Sequence, residues 1–126
     1  MAFYEFCSFI VAEKHFKRLS SICFSFTRKW WVWRYFRSFF PIELVKTTEL
    51  SPDKNYLIGS HPHGVLCTGA FCCFATDAAG FKEKFPGIIP RLLTLRGQFM
   101  IPGYREIFLS TGACAATKEG MEALFK

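Results

Sequence analysis

His61-Pro62-His63-Gly64 is the stretch of this chain whose residue types and spacing are best suited to chemistry. An imidazole near its ordinary pKa is the usual base for taking a proton from a hydroxyl at neutral pH. Pro62 fixes its own φ and holds His61 extended, so the tetrapeptide is stiff. Gly64 permits a sharp turn or the close approach of a substrate to the backbone. Amides opening a following helix would suit an oxyanion or a phosphate. Three other uses of these residues compete. A zinc ion could draw on His61 and His63 with Cys67, Cys72 or Cys73, although no familiar ligand spacing is matched. Cys67 could be a nucleophile assisted by His63. Two structural histidines beside a turn proline would need no ligand at all. Residue types and spacing leave these alternatives open.

The elements that must position the histidines can be read around them. Ser51-Pro52-Asp53-Lys54-Asn55 has the chemistry of a turn, and Tyr56 to Ser60 then predicts a short buried strand ending at His61. Phe71, Phe74, Ala78 and Phe81 recur at helical spacing, which predicts one helix after the histidines, closed by Gly80 with Lys82 and Lys84 near its negative end. A loop from Phe85 to Pro90 leads to a predicted strand at Arg91 to Leu95 and a helix at Tyr104 to Leu109. Thr111 to Thr117 predicts a third strand, and Lys118 to Lys126 a further helix. This β-α-β-α-β-α order predicts an α/β fold with a partial, mostly parallel sheet and flanking helices. Both histidines would then sit at the carboxyl edge of the sheet, where ligands usually bind. Glu119 to Lys126 is helix-forming to its last residue, and three short strands leave exposed edges, so the folding unit is expected to be incomplete and the chain alone a poor catalyst.

Composition divides the chain near Pro41, into a basic, aromatic, membrane-associating segment at residues 1–40 and a punctuated region at residues 41–126. All six prolines and all nine glycines fall in the second region, so the first reads as one or two helices. Between Lys14 and Ile42 there are seven Lys and Arg and no acid, interleaved with Trp30, Trp31, Trp33 and seven other aromatics. Such a pattern fits stacked bases with phosphates or a bilayer surface with anionic headgroups. No nucleic-acid motif accompanies it, so membrane lipid is the expected partner and nucleic acid is not. A buried aromatic helix with a solvated basic face would account for the same residues. The six cysteines show no regular spacing and no CxxC, which points to free thiols. No segment reads as a membrane span or as a signal peptide.

Residues Asn55 to Gly64 resemble the signature of the type-2 diacylglycerol acyltransferase family, which includes monoacylglycerol and wax-alcohol acyltransferases. Trp33-Arg34-Tyr35 with Phe39-Phe40-Pro41-Ile42 resembles the family segment before the first strand. Gly69-Ala70-Phe71-Cys72 and Phe74-Ala75-Thr76-Asp77 resemble the first helix, where Glu is commoner than Asp. Phe85-Pro86-Gly87-Ile88, Thr94-Leu95, Gly97, Pro102, Arg105-Glu106, Gly112 and Cys114 follow in family order. The resemblance implies an acyltransferase-like core and transfer of a fatty acyl group from acyl-CoA to an acylglycerol or long-chain alcohol in neutral-lipid synthesis. It implies His63 as general base, His61 as its assistant, and Pro62 and Gly64 as substrate-binding backbone. Arg105 and Glu106 would support the site as an ion pair, or Arg105 would meet coenzyme A phosphates. No metal and no cofactor beyond the acyl-CoA co-substrate is implied. The expected setting is the endoplasmic reticulum membrane with the catalytic segment facing the cytosol, with room for homo-oligomers or association with other lipid-synthesis enzymes. A catalytically silent membrane-surface or partner-binding member is the rival expectation.

Overall fold

The computed structural model describes residues 8–13, 26–61, 67–118 and 121. Four strands form one sheet: β1 (Ser8–Glu13), β2 (Tyr56–Ser60), β3 (Ile89–Thr94) and β4 (Cys114–Ala115), in the order β2-β1-β3-β4. β1 runs antiparallel to both β2 and β3, whereas β3 and β4 are parallel. The expected mostly parallel sheet is therefore corrected to a mixed one. The physical reason is the insertion of β1. The three strands from residues 56–115 do share one direction, and a strand from the basic N-terminal segment lies between the first two of them. The expectation of a wholly helical segment at residues 1–40 is corrected with it. Phe9-Ile10-Val11 is an aromatic and β-branched run, which suits a strand, and its backbone groups pair on both sides.

Helix α1 (Val32–Phe39) is as expected, but the single helix after the histidines is not. The chain instead forms α2 (Thr68–Ala70), widens into a π-helical turn (Phe71–Ala75), and breaks. Thr76 causes the break: its backbone is extended and its hydroxyl donates to the Cys72 carbonyl at 2.6 Å. Gly80, at φ 73°, then precedes helix α3 (Phe81–Lys84) rather than closing its predecessor. The apolar stripe was nonetheless legible, because Phe74 and Phe81 meet edge to face at 5.6 Å across the break. A 3-10 turn (Arg96–Met100) and α4 (Tyr104–Ser110) complete the described elements. The expected strand at residues 111–117 shrinks to the two residues of β4. Lys118 and Met121 are helical, and the rest of the expected last helix lies outside the described residues.

Phe71 is the hub of the core. Trp33 and Phe36 of α1 and Phe108 of α4 meet its ring edge to face at 5.3, 6.2 and 5.4 Å. Such pairs add roughly 0.5–1.5 kcal/mol each beyond area burial. Leu92 of β3 and Ile58 of β2 close the cluster from the sheet side. Among the described residues no helix is long and apolar enough to cross a membrane.

Candidate active site

Since β2, β3 and β4 share one direction, their carboxyl ends leave the sheet at one edge. Gly59, Phe9, Leu93 and Cys114 lie in one row across the strands, and Ser60, Ser8, Thr94 and Ala115 lie near the next. His61, Leu95 and Ala116 follow immediately, with the Ala116 amide donating to the Thr94 carbonyl at 2.8 Å. Three strand spacings, about 14 Å, separate the outermost of these positions. His61 thus lies at the expected edge.

Along β2, Tyr56, Ile58 and Ser60 are half-buried, and the first two pack into the core. Leu57, Gly59 and His61 alternate onto the other face and are exposed. The His61 Nε2 lies 3.6 Å from where a Cβ on Gly59 would stand, so the ring leans back along its own strand over the glycine. Pro62, His63 and Gly64 lie outside the described residues. Cys67, on the far side of the loop, is buried at the start of α2. Burial pushes the Cys73 thiol up to about 11, with Cys72 adding repulsion, and burial likewise raises Cys72. Thiols held neutral in this way are poor nucleophiles and poor metal ligands. Among the described residues no cluster of three His, Cys, Asp or Glu could hold a metal ion.

The segment leaving β3 at this edge carries exposed apolar side chains. Leu95, Met100, Ile101 and Tyr104 are all turned to solvent, Met100 at 75%. Thr94, fully buried, donates its hydroxyl to the Gln98 Oε1 at 2.6 Å and fixes the 3-10 turn against the strand end. Arg105 and Glu106 are exposed on α4 and do not pair with each other. Glu106 instead accepts the Gly103 amide at 2.6 Å, capping the start of α4. Gly103, at φ 86°, gives the turn that makes this reach available.

Arg28 was missed as a structural residue by reading the basic segment as a surface. Its side chain is only 12% exposed and its guanidinium donates four hydrogen bonds. Nε donates to Asp77 Oδ1 at 3.1 Å, Nη1 to the carbonyls of Pro90 and Thr111 at 3.2 and 3.4 Å, and Nη2 to that of Phe74 at 3.1 Å. Burial lowers its pKa, and Asp77 opposes that shift. The Asp77 amide also donates to the Arg28 carbonyl at 3.0 Å. Arg37 plays a similar part, bonding the carbonyls of Ile42 and Ala78. The Thr27 hydroxyl donates to the Ser110 carbonyl, and the Trp33 indole to the Thr27 carbonyl at 2.6 Å. Arg28, one of the cations expected at a bilayer, therefore holds the core instead, while Arg37 stays exposed as it bonds Ile42 and Ala78. Asp77, the only acid between Asp53 and Glu83, was the available signal.

Comparison with known proteins gives the geometry its context. The family model described as diacylglycerol acyltransferase matches residues 1–126. The chain is 51% identical to diacylglycerol O-acyltransferase 2 of Xenopus tropicalis over 98 residues, 78% of this chain and 27% of the relative. It is 45% identical to human 2-acylglycerol O-acyltransferase 3 over 91 residues, 72% of this chain and 27% of that one. To human acyl-CoA wax alcohol acyltransferase 1 it is 47% identical over 100 residues, 79% and 30% of the two chains. The chain thus matches between a quarter and a third of the length of these relatives. No solved structure matches.

Proposed function

The chain belongs to the diacylglycerol acyltransferase family, and on that premise we propose that its histidine loop serves acyl transfer from acyl-CoA to a lipid hydroxyl. His63 takes the proton from the acceptor hydroxyl as that oxygen attacks the thioester carbonyl. The tetrahedral intermediate then collapses, the C–S bond breaks, and the coenzyme thiolate receives the proton from the imidazolium. An ester and free coenzyme A result. His61 orients the base, and Pro62 and Gly64 shape the backbone beside the acyl group. The acceptor is an acylglycerol, with a long-chain alcohol as the alternative.

The observation that carries the reading is the placement of His61 at the carboxyl edge shared by three parallel strands. The exposed apolar run from Leu95 to Tyr104 beside that edge suits a fatty chain. A setting on the endoplasmic reticulum membrane is supported by α1, where Trp31, Tyr35 and Phe39 stand at i, i+4 and i+8 on the solvent side.

The test is a transferase assay with labelled acyl-CoA against mono- and diacylglycerols and long-chain alcohols. It is run on this chain and on a chimera in which residues 41–126 replace the matching stretch of a whole-length relative. His63→Ala should lower turnover by roughly two to four orders of magnitude, and His61→Ala by less. Near-normal turnover with His63→Ala in the chimera would refute the base assignment.

A further inference from the structure

At the opposite edge of the sheet a cleft of about 520 Å³ opens between residues 28–34 and helix α3. Its floor is the Arg28–Asp77 pair, and Lys29, Trp30 and Arg34 form one wall, with Lys82 on the other. Glu83 also lines it. Arg28 and Asp77 neutralise each other. Lys29, Arg34, Lys82 and Glu83 are exposed and form no ion pair among the described residues. Three uncommitted cations against one carboxylate leave a surplus of two positive charges in a concave site. We infer that this cleft binds a phosphate monoester dianion.

Charge sets the class of ligand, because a dianion matches the surplus and a single carboxylate does not. Arg34 offers a planar fork that suits phosphate oxygens, and the two lysines act as point charges. The volume exceeds one phosphate and falls in the range of small-ligand sites, so an attached group is accommodated. Trp30, 49% exposed, presents an aromatic face to that group. The dianion belongs to a lipid headgroup such as phosphatidate or to a soluble phosphate ester, and both present the same chemistry.

Position separates this site from the histidine loop. Arg28 is fastened to the carbonyl of Pro90, at the amino end of β3, whereas His61 lies one residue beyond the row of Thr94. Four residues of strand, about 13 Å, lie between those rows. An anion in the cleft anchors or regulates the protein and takes no part in the reacting bonds. The inference therefore goes beyond the acyl-transfer reading and does not depend on it.

The experiment measures binding by the full chain in two arms. One is sedimentation with phosphatidylcholine vesicles containing phosphatidate, and the other is calorimetry with phenyl phosphate, a soluble monoester dianion with an aromatic group. Arg34→Gln and Lys82→Gln should each weaken binding about tenfold, the effect of one charge-assisted hydrogen bond. Arg96→Gln, which removes the same charge at the other sheet edge, should change it less than about twofold. Binding in the vesicle arm alone identifies a headgroup, and binding of phenyl phosphate identifies a soluble ester. The inference falls if neither probe binds, or if all three variants weaken binding equally. It also falls if Lys82→Gln is silent, since only a ligand seated in the cleft touches both walls.

Discussion

Replacing Arg28 with Ala removes the main fastening between the basic segment and the core. The guanidinium donates four hydrogen bonds, three of them to backbone carbonyls on three different segments. Adding charge-assisted bonds singly would overcount, because they share one side chain. Breaking one partner of a buried ion pair costs about 3–5 kcal/mol, and with side chains 12% and 21% exposed this pair lies no higher than the middle of that range. We therefore expect Arg28→Ala to destabilise the chain by about 4 kcal/mol, or about 15 °C in midpoint for a domain of this size. Asp77→Asn keeps the three carbonyl contacts and should cost about half as much. The assay is urea unfolding followed by tryptophan emission, in which Trp33, packed on Phe71, reports the loss of the core. The double variant should show a coupling of at least about 1 kcal/mol. A loss below about 0.5 kcal/mol for Arg28→Ala, or zero coupling with Asp77, would refute the reasoning.

Three further outcomes are expected. Replacing Trp31, Tyr35 and Phe39 with Ala should weaken binding to anionic vesicles at moderate salt while leaving the urea midpoint nearly unchanged, whereas Phe71→Ala should lower the unfolding free energy by about 3–5 kcal/mol. Stability should fall by roughly 2–3 kcal/mol between about pH 9 and 11, because the unfolded chain ionises Cys73 first while the folded chain holds it neutral up to about 11. Alkaline melts of Cys73→Ala should show a shallower fall. Glu106→Ala should cost about 1 kcal/mol through the lost cap on Gly103, with Glu106→Gln retaining most of it, and thermal melts would show the difference.

What was legible in the sequence follows from how local each cause is. The strand Tyr56–Ser60 and the helix Tyr104–Ser110 are bounded by their own turn residues, and both lie within a residue of the reading. The inward set Phe71, Phe74 and Phe81 was also legible, since periodicity reports which residues face a core. It does not report where a helix stops. That depends on Thr76 bonding the Cys72 carbonyl, a hydroxyl competing with the ladder four residues back. The order of strands was least legible. β1 pairs with strands more than forty positions away, and nothing local announces which slot it fills. Arg28 and Arg37 read as surface cations because, Asp77 apart, their partners are carbonyls, which carry no sequence signal.

The two edges of the sheet divide the labour differently from the composition. A split at Pro41 would give lipid contact to one part and chemistry to the other. Yet Thr27, Arg28, Trp33 and Arg37 all bond or pack into residues 71–111, so the basic segment helps to build the frame behind the histidine loop. Arg28 and Arg37, two of its four cations among the described residues, and the Trp33–Phe36 stripe contribute to that frame. Among the described residues, the exposed face includes Trp31, Tyr35 and Phe39 along α1 and its N-cap, with Lys29 and Arg34 at the cleft. Any lipid surface engaged there is therefore held in fixed register with β3, through the Arg28 bonds to Pro90 and Thr111. A segment that met the bilayer on a loose tether could not transmit that register to the opposite edge, where in the proposed reaction the acceptor hydroxyl would have to reach a histidine within hydrogen-bond distance.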